Sequence, residues 1–362
     1  MGMKVALVHD YLIQDGGAER VLGALQRIFP NAPTFTIIYD PKHPQAQGKA
    51  IKTSFLQKFP FSRRLDQWYM PLMPLAVEQM DFSGFDLVIS SSSSFAKGII
   101  TAPETKHVCY MHTPTRFLWH DRIGYLNDLR QPRPIRIALL PILQHLRLWD
   151  KLAAERPTHV LTNSLTSRER IKKYYGREAE VIYPPVDVAG IKVSRTPGTY
   201  WLAAGRLVGY KRFDLAVKAF AKLHLPLKIF GTGPEMRRLK KMAGPKTEFL
   251  GNVTEQKKAE LYQGAIGFLY PQVEDFGITA VEAMAAGKPV IAYGSGGGAE
   301  SVLNGVTGEH IETQSWENIA DAVIRLDPAK YDPMRIRARA EEFSEERFKE
   351  KLTAYLSSVA GV

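Results

Sequence analysis

The sequence predicts an α/β protein built from two Rossmann-like domains, each with a parallel β-sheet covered by helices on both faces. Short apolar segments alternate with amphipathic helical segments along the chain, and Gly- or Pro-containing breaks separate them. The length supports two domains, because 362 residues is about twice the usual ~150 residues of one domain. Two such domains facing each other would enclose a central cleft.

The first half begins with a predicted buried strand at Lys4–His9, a Gly-rich loop at Asp15–Gly17 and a helix at Ala18–Phe29. A long helical pattern covers Ile135–Glu155. Further strands are predicted at short apolar runs that end at polar residues, glycine or proline: Thr34–Tyr39, Leu87–Ser90, Lys106–Tyr110, His159–Asn163 and Ala179–Ile182. Consecutive prolines exclude helix, so Tyr183-Pro184-Pro185-Val186 marks the boundary between domains 1–183 and 184–345.

The second half repeats the alternation at shorter intervals. Strands are predicted at Tyr200–Ala204, Leu227–Phe230, Thr247–Leu250, Gly267–Tyr270 and Pro289–Ala292. Helices are predicted at Phe213–His224, Pro234–Met242, Glu255–Ala265 and Thr279–Ala286. Ligands of parallel sheets bind at the carboxyl ends of the strands, where Gly-rich loops meet helix N-termini. Functional residues are therefore expected in the loops that follow the strands.

Composition indicates a cytoplasmic globular protein. The single cysteine, Cys109, excludes an intramolecular disulfide framework and a thiolate metal cluster. No run reaches the ~18 apolar residues that a membrane span needs, and the short apolar run at the N-terminus predicts a strand rather than a signal peptide.

The net charge of +11 is uneven along the chain. Residues 1–185 hold 24 Lys and Arg against 16 Asp and Glu, which gives +8 and leaves +3 for the rest. A basic first half favours an anionic partner, either nucleic acid, anionic lipid or a phosphorylated substrate. Solubility alone is the alternative explanation.

The most informative motif runs from Glu274 to Glu282. Glu274 and Gly277 lie in a predicted loop, and a helix is predicted to begin near Thr279 and to end at Gly287. The N-terminus of a helix offers free N–H groups and a partial positive charge, which suit a diphosphate. Carboxylates accept hydrogen bonds from sugar hydroxyls. The alternative is structural, since Thr279-x-x-Glu282 also fits a capping box and Glu274 could be a solvated loop charge.

This segment resembles the family 4 retaining glycosyltransferases of the GT-B fold, whose signature is two glutamates separated by seven residues. Other motifs fit the same family along nearly the whole chain: Gly16-Gly17-Ala18-Glu19, His112-Thr113-Pro114, Asn163-Ser164, Tyr183-Pro184-Pro185-Val186, Gly205-Arg206-Leu207 with Lys211, Gly231-Thr232-Gly233-Pro234, Phe249-Leu250-Gly251-Asn252-Val253 and Gly297-Gly298-Ala299-Glu300. The resemblance implies that a C-terminal helix, residues 346–362, returns to the first domain.

The resemblance also implies transfer of a hexose with retention, from a nucleotide diphosphate sugar bound by the second domain to an acceptor bound by the first. The donor is a co-substrate, and no cofactor is implied. The catalytic residues would be His112, Glu274, Arg206 and Lys211. The donor-binding residues would be Gly16, Gly17, Arg206, Lys211, Gly231, Gly251, Asn252, Val253, Glu274, Phe276, Gly277, Ile278 and Glu282.

Within this set, the resemblance assigns the sugar hydroxyls to Glu274 and the ribose to Glu282. It assigns the sugar or the diphosphate to the N–H groups of residues 276–278. The departing diphosphate oxygen would assist deprotonation of the acceptor hydroxyl.

No metal site is predicted. The chain contains no Asp-x-Asp, so it has no obvious carboxylate site for Mg²⁺ on a diphosphate. Arg206 and Lys211 follow a predicted strand, and two fixed cations there could neutralise the departing diphosphate. From the residues alone, both could equally belong to a solvated loop, and His112 could be structural.

A narrower resemblance concerns donor and acceptor. Met111-His112-Thr113-Pro114 with Arg116 and Trp119 is similar to bacterial polysaccharide mannosyltransferases, which implies GDP-mannose, with UDP-glucose as the alternative. The acceptor would be a saccharide or a lipid-linked saccharide. Ser54–Met80 mixes cations with aromatic side chains, and Arg130–Arg136 adds arginines. Such composition suits an anionic membrane surface, so peripheral binding at the inner face of the plasma membrane is a hypothesis. A packed helical hairpin is the alternative for Ser54–Met80.

Two other functions remain open from the sequence. A nucleotide-sugar 2-epimerase or a phosphorylase could share the fold, and a basic nucleic-acid-binding protein could share the charge. We favour the transferase and expect no nucleic-acid partner.

Overall fold

The computed structural model describes residues 3–14, 16–63, 66–121 and 133–360. The predictions for Asp15, Arg64 and residues 130–132 lie outside this range. The chain divides into two compact units, one of Met1–Tyr183 with Lys349–Val362 and the other of Pro184–Phe348.

The first unit contains a seven-stranded parallel sheet. Its strands are β1 (Val5–Leu12), β2 (Thr34–Tyr39), β3 (Ile51–Thr53), β4 (Leu87–Ser92), β5 (Lys106–Met111), β6 (His159–Thr162) and β7 (Glu180–Val181). Its α-helices in the described part of the chain are α1 (Gly17–Ile28), α2 (Met73–Glu78), α3 (Arg133–Ala153) and α4 (Leu165–Tyr175). The strand order is β3-β2-β1-β4-β5-β6-β7. All six residues of β4 are buried, as expected for a central strand covered on both faces.

The second unit contains a six-stranded parallel sheet. Its strands are β8 (Tyr200–Ala204), β9 (Leu227–Phe230), β10 (Thr247–Gly251), β11 (Ala265–Tyr270), β12 (Val290–Tyr293) and β13 (Gly308–Ile311), in the order β10-β9-β8-β11-β12-β13. Its helices are α5 (Phe213–Leu223), α6 (Met236–Met242), α7 (Glu255–Gln263), α8 (Ile278–Ala285), α9 (Gly297–Ser301), α10 (Trp316–Arg325) and α11 (Pro333–Glu341). A last helix, α12 (Glu345–Ala360), starts in this unit and continues into the first from Lys349.

Both sheets have the same kind of strand order, and the point where that order reverses positions the candidate site. In each unit the chain builds outward from the first strand in one direction and then returns to build in the other. The reversal lies between β1 and β4 in the first sheet and between β8 and β11 in the second. The loops that leave the carboxyl ends of such a strand pair diverge and leave a crevice, which is where ligands of open parallel sheets bind.

The structure confirms the predicted strands and helices to within a few residues and corrects two interpretations. The helix predicted at Glu255–Ala265 is too long, because the Gly264 N–H bonds back to Glu260 and strand β11 begins at Ala265. The helical hairpin considered for Ser54–Met80 is wrong. The described residues of that segment instead form two 3₁₀ segments and the six-residue α2, in a stretch whose prolines supply no N–H to a longer helix. None of the described helices is long and apolar enough to cross a membrane.

Candidate active site

Backbone hydrogen bonds tie together the loops that follow β8, β9 and β10. The Gly231 N–H donates to the Gly251 carbonyl at 2.7 Å, and the Leu207 N–H donates to the Thr232 carbonyl at 2.8 Å. Gly231 adopts φ +113°, and a Cβ there would lie 2.1 Å from the Gly205 carbonyl oxygen. The loops can approach this closely only because position 231 is glycine.

Lys211 and Glu274 meet at the crevice between β8 and β11. Lys211 follows β8 and Glu274 follows β11, and Lys211 Nζ lies 2.8 Å from Glu274 Oε1. Their side chains are only 13% and 17% exposed, so solvent screens this pair less than a surface ion pair. The sequence placed both residues in the site but did not predict that they bind each other.

A third side chain, Tyr270, contacts this pair. The sequence analysis did not predict it. Its hydroxyl donates to Glu274 Oε2 at 2.5 Å. Burial, and then the neighbouring carboxylate, raise the pKa of Tyr270 well above its ordinary value, so the phenol remains a proton donor. One feature of the sequence could have pointed to Tyr270: it ends a predicted strand, four residues before Glu274.

A glycine pair holds the loop that carries Glu274. The Gly297 N–H donates to the Glu274 carbonyl at 2.8 Å. A Cβ at Gly298 would lie 2.3 Å from Tyr270 Cε1, so only glycine lets α9 pack this closely. Gly277 is the N-cap of α8, and the neighbouring Phe276 is buried against Phe343 at a ring separation of 5.3 Å.

The remaining predicted donor residues of the second unit lie at the same edge of its sheet. Arg206 is exposed at the start of the loop that carries Lys211. Gly251 ends β10, and Asn252 Oδ1 accepts a hydrogen bond from the Thr232 hydroxyl at 3.3 Å. Val253 is half-buried beside them, and Ile278 begins α8.

The position of Glu282 does not fit the capping-box interpretation of its motif. The capping box is wrong, because α8 is capped by Gly277 and the Glu282 carboxylate points at α7. Lys258 Nζ donates to Oε1 at 3.0 Å and the Tyr262 hydroxyl donates to Oε2 at 2.8 Å. Glu282 is 1% exposed. Its assignment to the ribose stays a prediction. The signal for its missed partners was their spacing, four residues apart on one predicted helix.

We expect Glu282→Ala to lower the free energy of unfolding by about 3–5 kcal/mol, because it leaves the Lys258 ammonium without its buried carboxylate. Chemical denaturation measures this. Glu260→Ala is the matched control, since Glu260 lies on the same helix, α7, but is half-exposed and pairs with Lys257. A loss no larger than that of the control would show that the buried pair does not stabilise the unit.

In the first unit, the predicted residues lie at the carboxyl edge of its sheet. Gly16 and Gly17 stand at the start of α1, and His112 directly follows β5. Burial lowers the pKa of His112 to about 3, so its imidazole is neutral at physiological pH. Trp119, part of the narrower motif, donates from Nε1 to Asp150 Oδ2 at 2.7 Å.

The described part of the chain shows no metal-binding cluster. There, no group of three or more His, Cys, Asp or Glu side chains is arranged to hold a metal ion.

Comparison with known protein families identifies the family of this chain. The family Glycosyltransferase Family 4 matches residues 15–189, and the family Glycosyl transferases group 1 matches residues 191–343. This chain belongs to glycosyltransferase family 4.

Individual relatives extend the match. The α-1,3/1,6-mannosyltransferase of Kluyveromyces lactis is 24% identical, with 88% of this chain and 75% of the relative covered. The human GDP-Man:Man(3)GlcNAc(2)-PP-Dol α-1,2-mannosyltransferase is 25% identical, with 99% and 86% covered. The crystal structure of Anabaena HepE in complex with UDP and glucose has a TM-score of 0.71 at 18% identity and covers 99% of this chain and 100% of that chain. The likeness to HepE confirms the predicted GT-B fold.

Proposed function

We propose that this glycosyltransferase moves a hexose from a nucleotide diphosphate sugar onto a saccharide or lipid-linked saccharide, with retention of the anomeric configuration. The observation that carries the proposal is the Lys211–Glu274 pair, 2.8 Å apart at the crevice of the second sheet. A cation and a carboxylate at this point match the two ends of such a donor, since the cation suits the diphosphate and the carboxylate suits the sugar hydroxyls.

Each group then has a defined task. Lys211 and Arg206 neutralise the charge that develops on the leaving diphosphate, together with the N–H groups at the start of α8. Glu274 holds the sugar hydroxyls, and Tyr270 orients that carboxylate through its 2.5 Å hydrogen bond. The leaving diphosphate oxygen takes the proton of the acceptor hydroxyl, on the face of the sugar from which it departs, which gives retention.

The favoured donor is GDP-mannose. The motif from Met111 to Trp119 supports it, and two relatives are mannosyltransferases by name. UDP-glucose is the alternative, since HepE holds UDP and glucose. A thermal-shift screen of GDP, UDP, ADP and dTDP sugars tests the choice, because a ligand at 100 times its Kd adds about 2.7 kcal/mol of stability. GDP-mannose should give the largest shift, and a larger shift with UDP-glucose would overturn the donor assignment.

Transfer is expected to need no metal ion. Arg206 and Lys211 supply the positive charge that Mg²⁺ supplies elsewhere, and no Asp-x-Asp is present in the chain. Excess EDTA should leave the initial rate within about twofold, because the cations that oppose the diphosphate charge are covalently part of the protein. Loss of activity in EDTA that Mg²⁺ restores would contradict this.

The first unit exposes apolar side chains on two neighbouring elements. On α3, Ile137, Leu140, Leu148 and Leu152 are 57%, 48%, 59% and 61% exposed. At 100° per residue they fall in one stripe of about 120°. In the Ser54–Met80 segment, Phe61 and Trp68 are 70% and 61% exposed, whereas Met73 belongs to the core. The two elements adjoin, because Trp149 Nε1 on α3 donates to Glu78 Oε1 on α2 at 2.8 Å.

We propose that this apolar surface, with the basic charge of the first half, holds the enzyme at the anionic inner face of the plasma membrane, near a lipid-linked acceptor. Each Lys or Arg near an anionic bilayer contributes about 1 kcal/mol, and the effect fades within a Debye length.

The double variant Leu148→Gln/Leu152→Gln should weaken binding to anionic vesicles roughly tenfold, because two leucines lose their favourable burial among the lipids. Co-sedimentation at low and high salt measures this. Ile324→Gln, which removes a 69% exposed apolar side chain from the second unit, is the control. Equal binding of this chain to neutral and anionic vesicles, or to neither at low salt, would contradict membrane association and leave transfer to a soluble acceptor.

A further inference from the structure

Two side chains from the end of the second unit support the loop that carries Glu274. Phe276 lies in this loop and is buried against Phe343, which follows α11 and is buried as well. Their ring centroids are 5.3 Å apart and the rings are inclined at 61°. Arg339, in the last turn of α11, places its guanidinium 4.7 Å from the centroid of the Phe343 ring. Both contacts are attractive geometries, so the three side chains stabilise one another.

Arg339 also connects α11 to α9. Its Nε donates to the Ser301 carbonyl at 3.1 Å, and its Nη2 donates to the Glu300 carbonyl at 2.6 Å. These two residues end α9, and the last carbonyls of a helix need partners from outside it. The Arg339 side chain is mostly shielded from solvent, so water competes little for these bonds.

The other end of α9 returns to the same loop. The Gly297 N–H donates to the Glu274 carbonyl at 2.8 Å, and a Cβ at Gly297 would lie 2.1 Å from the Asp275 carbonyl oxygen. The contacts therefore form a closed ring, which runs from the loop through Phe343, Arg339 and α9 back to the loop. We call this set of contacts the support ring. It holds the backbone of the loop from two sides, and all of it lies in the second unit.

We propose that Arg339 and Phe343 are positioning residues for the nucleotide sugar. They set the backbone that presents the Glu274 carboxylate and the N–H groups at the start of α8. They act through Phe276 and α9, without a contact of their own to the donor. Neither residue belongs to a motif that the sequence analysis used. The inference rests on the proposed function, which assigns the sugar hydroxyls to Glu274 and the diphosphate to those N–H groups.

Hydrogen–deuterium exchange of the full chain, measured by mass spectrometry, tests the support ring without any substrate. Phe343→Leu and Arg339→Met should each raise amide exchange about tenfold in the peptides that contain Glu274 and Gly297. The reason is that the bond between these two residues opens more often once one side of the ring is lost. Unchanged exchange of both peptides in both variants would overturn the proposal.

Two matched controls separate this local effect from a general loss of stability. Phe220→Leu truncates a buried aromatic side chain of α5, which packs against Trp201 at a ring separation of 6.2 Å. Arg335→Met removes an exposed arginine from α11 itself. Neither control should raise exchange in the two peptides relative to the rest of the second unit. An equal rise in the controls would show that any destabilisation opens the loop, and would overturn the proposal.

Calorimetric titration with the nucleotide sugar that gives the largest thermal shift then tests the role in donor binding. Phe343→Leu and Arg339→Met should weaken binding about tenfold, the equivalent of one hydrogen bond to the diphosphate, and both controls should stay within about twofold. Faster exchange with unchanged affinity would show that the support ring serves stability alone and would overturn the proposal. If none of the nucleotide sugars binds to the unaltered chain while the exchange results are as expected, the proposed function fails, and the role in donor binding fails with it.

Discussion

Lys211→Met is expected to lower kcat for hexose transfer by about a hundredfold to a thousandfold, the usual loss when one fixed group that stabilises transition-state charge is removed. The ammonium lies at the carboxyl end of β8, is largely shielded from solvent, and is held 2.8 Å from Glu274. Methionine keeps the length of the side chain and removes only its charge. Initial rates at saturating donor measure the effect.

Lys222→Met is the control for Lys211→Met, since Lys222 is an exposed lysine on α5 of the same unit. The control should retain the full rate. If Lys211→Met remains folded and transfers hexose within about threefold of the unaltered rate, the lysine does not neutralise the leaving group.

Glu274→Gln should lower kcat by roughly tenfold to a hundredfold, because each hydrogen bond to a charged group contributes about 1.5–3 kcal/mol. Glutamine preserves the shape and can still accept the Tyr270 hydroxyl, so the fold of the loop should survive. Glu317→Gln, an exposed glutamate of the second unit, controls for loss of one negative charge. An unchanged kcat with a lower melting temperature would show that Glu274 has only a structural role.

The double variant Lys211→Met/Glu274→Gln shows whether the two residues act on the donor separately or only neutralise each other. If the two residues serve different ends of the donor, their effects on the logarithm of the rate should approximately add. If their only task is to neutralise each other, the double variant should lose no more than the worse single variant. Near-additivity is expected, because the diphosphate and the sugar hydroxyls bind to different partners.

Local patterns were sufficient for most of the fold. Alternating apolar and helical segments located the main strands, because that pattern depends on neighbours in sequence. The second compact unit begins at Pro184, the first residue of the double proline. Strand β3 was missed because its three residues include only one apolar side chain, Ile51. Helix α4 was missed because it is mostly polar and has little of the apolar periodicity that predicts a helix.

The sequence suggested residues for the candidate site but not the contacts between them. The resemblance assigned Glu274, Glu282 and Lys211 to one donor site, and that assignment stays a prediction. The Lys211–Glu274 and Lys258–Glu282 contacts depend on how the loops and helices of the folded sheet approach each other, which no local pattern encodes. Likewise, the contacts of His9 with Ser91 and of Ser91 with His112 arise from the strand order β1-β4-β5, which brings distant sequence segments together.

The most direct test of the central claim is NMR spectroscopy of the chain incubated with GDP-mannose and a short mannoside that carries an alkyl tail. We expect GDP to be released and an α-linked product to form in step, and Lys211→Met should suppress both. A β-linked product would contradict retention. Conversion of the donor sugar at C2 with the mannoside untouched would instead identify an epimerase and contradict the transferase.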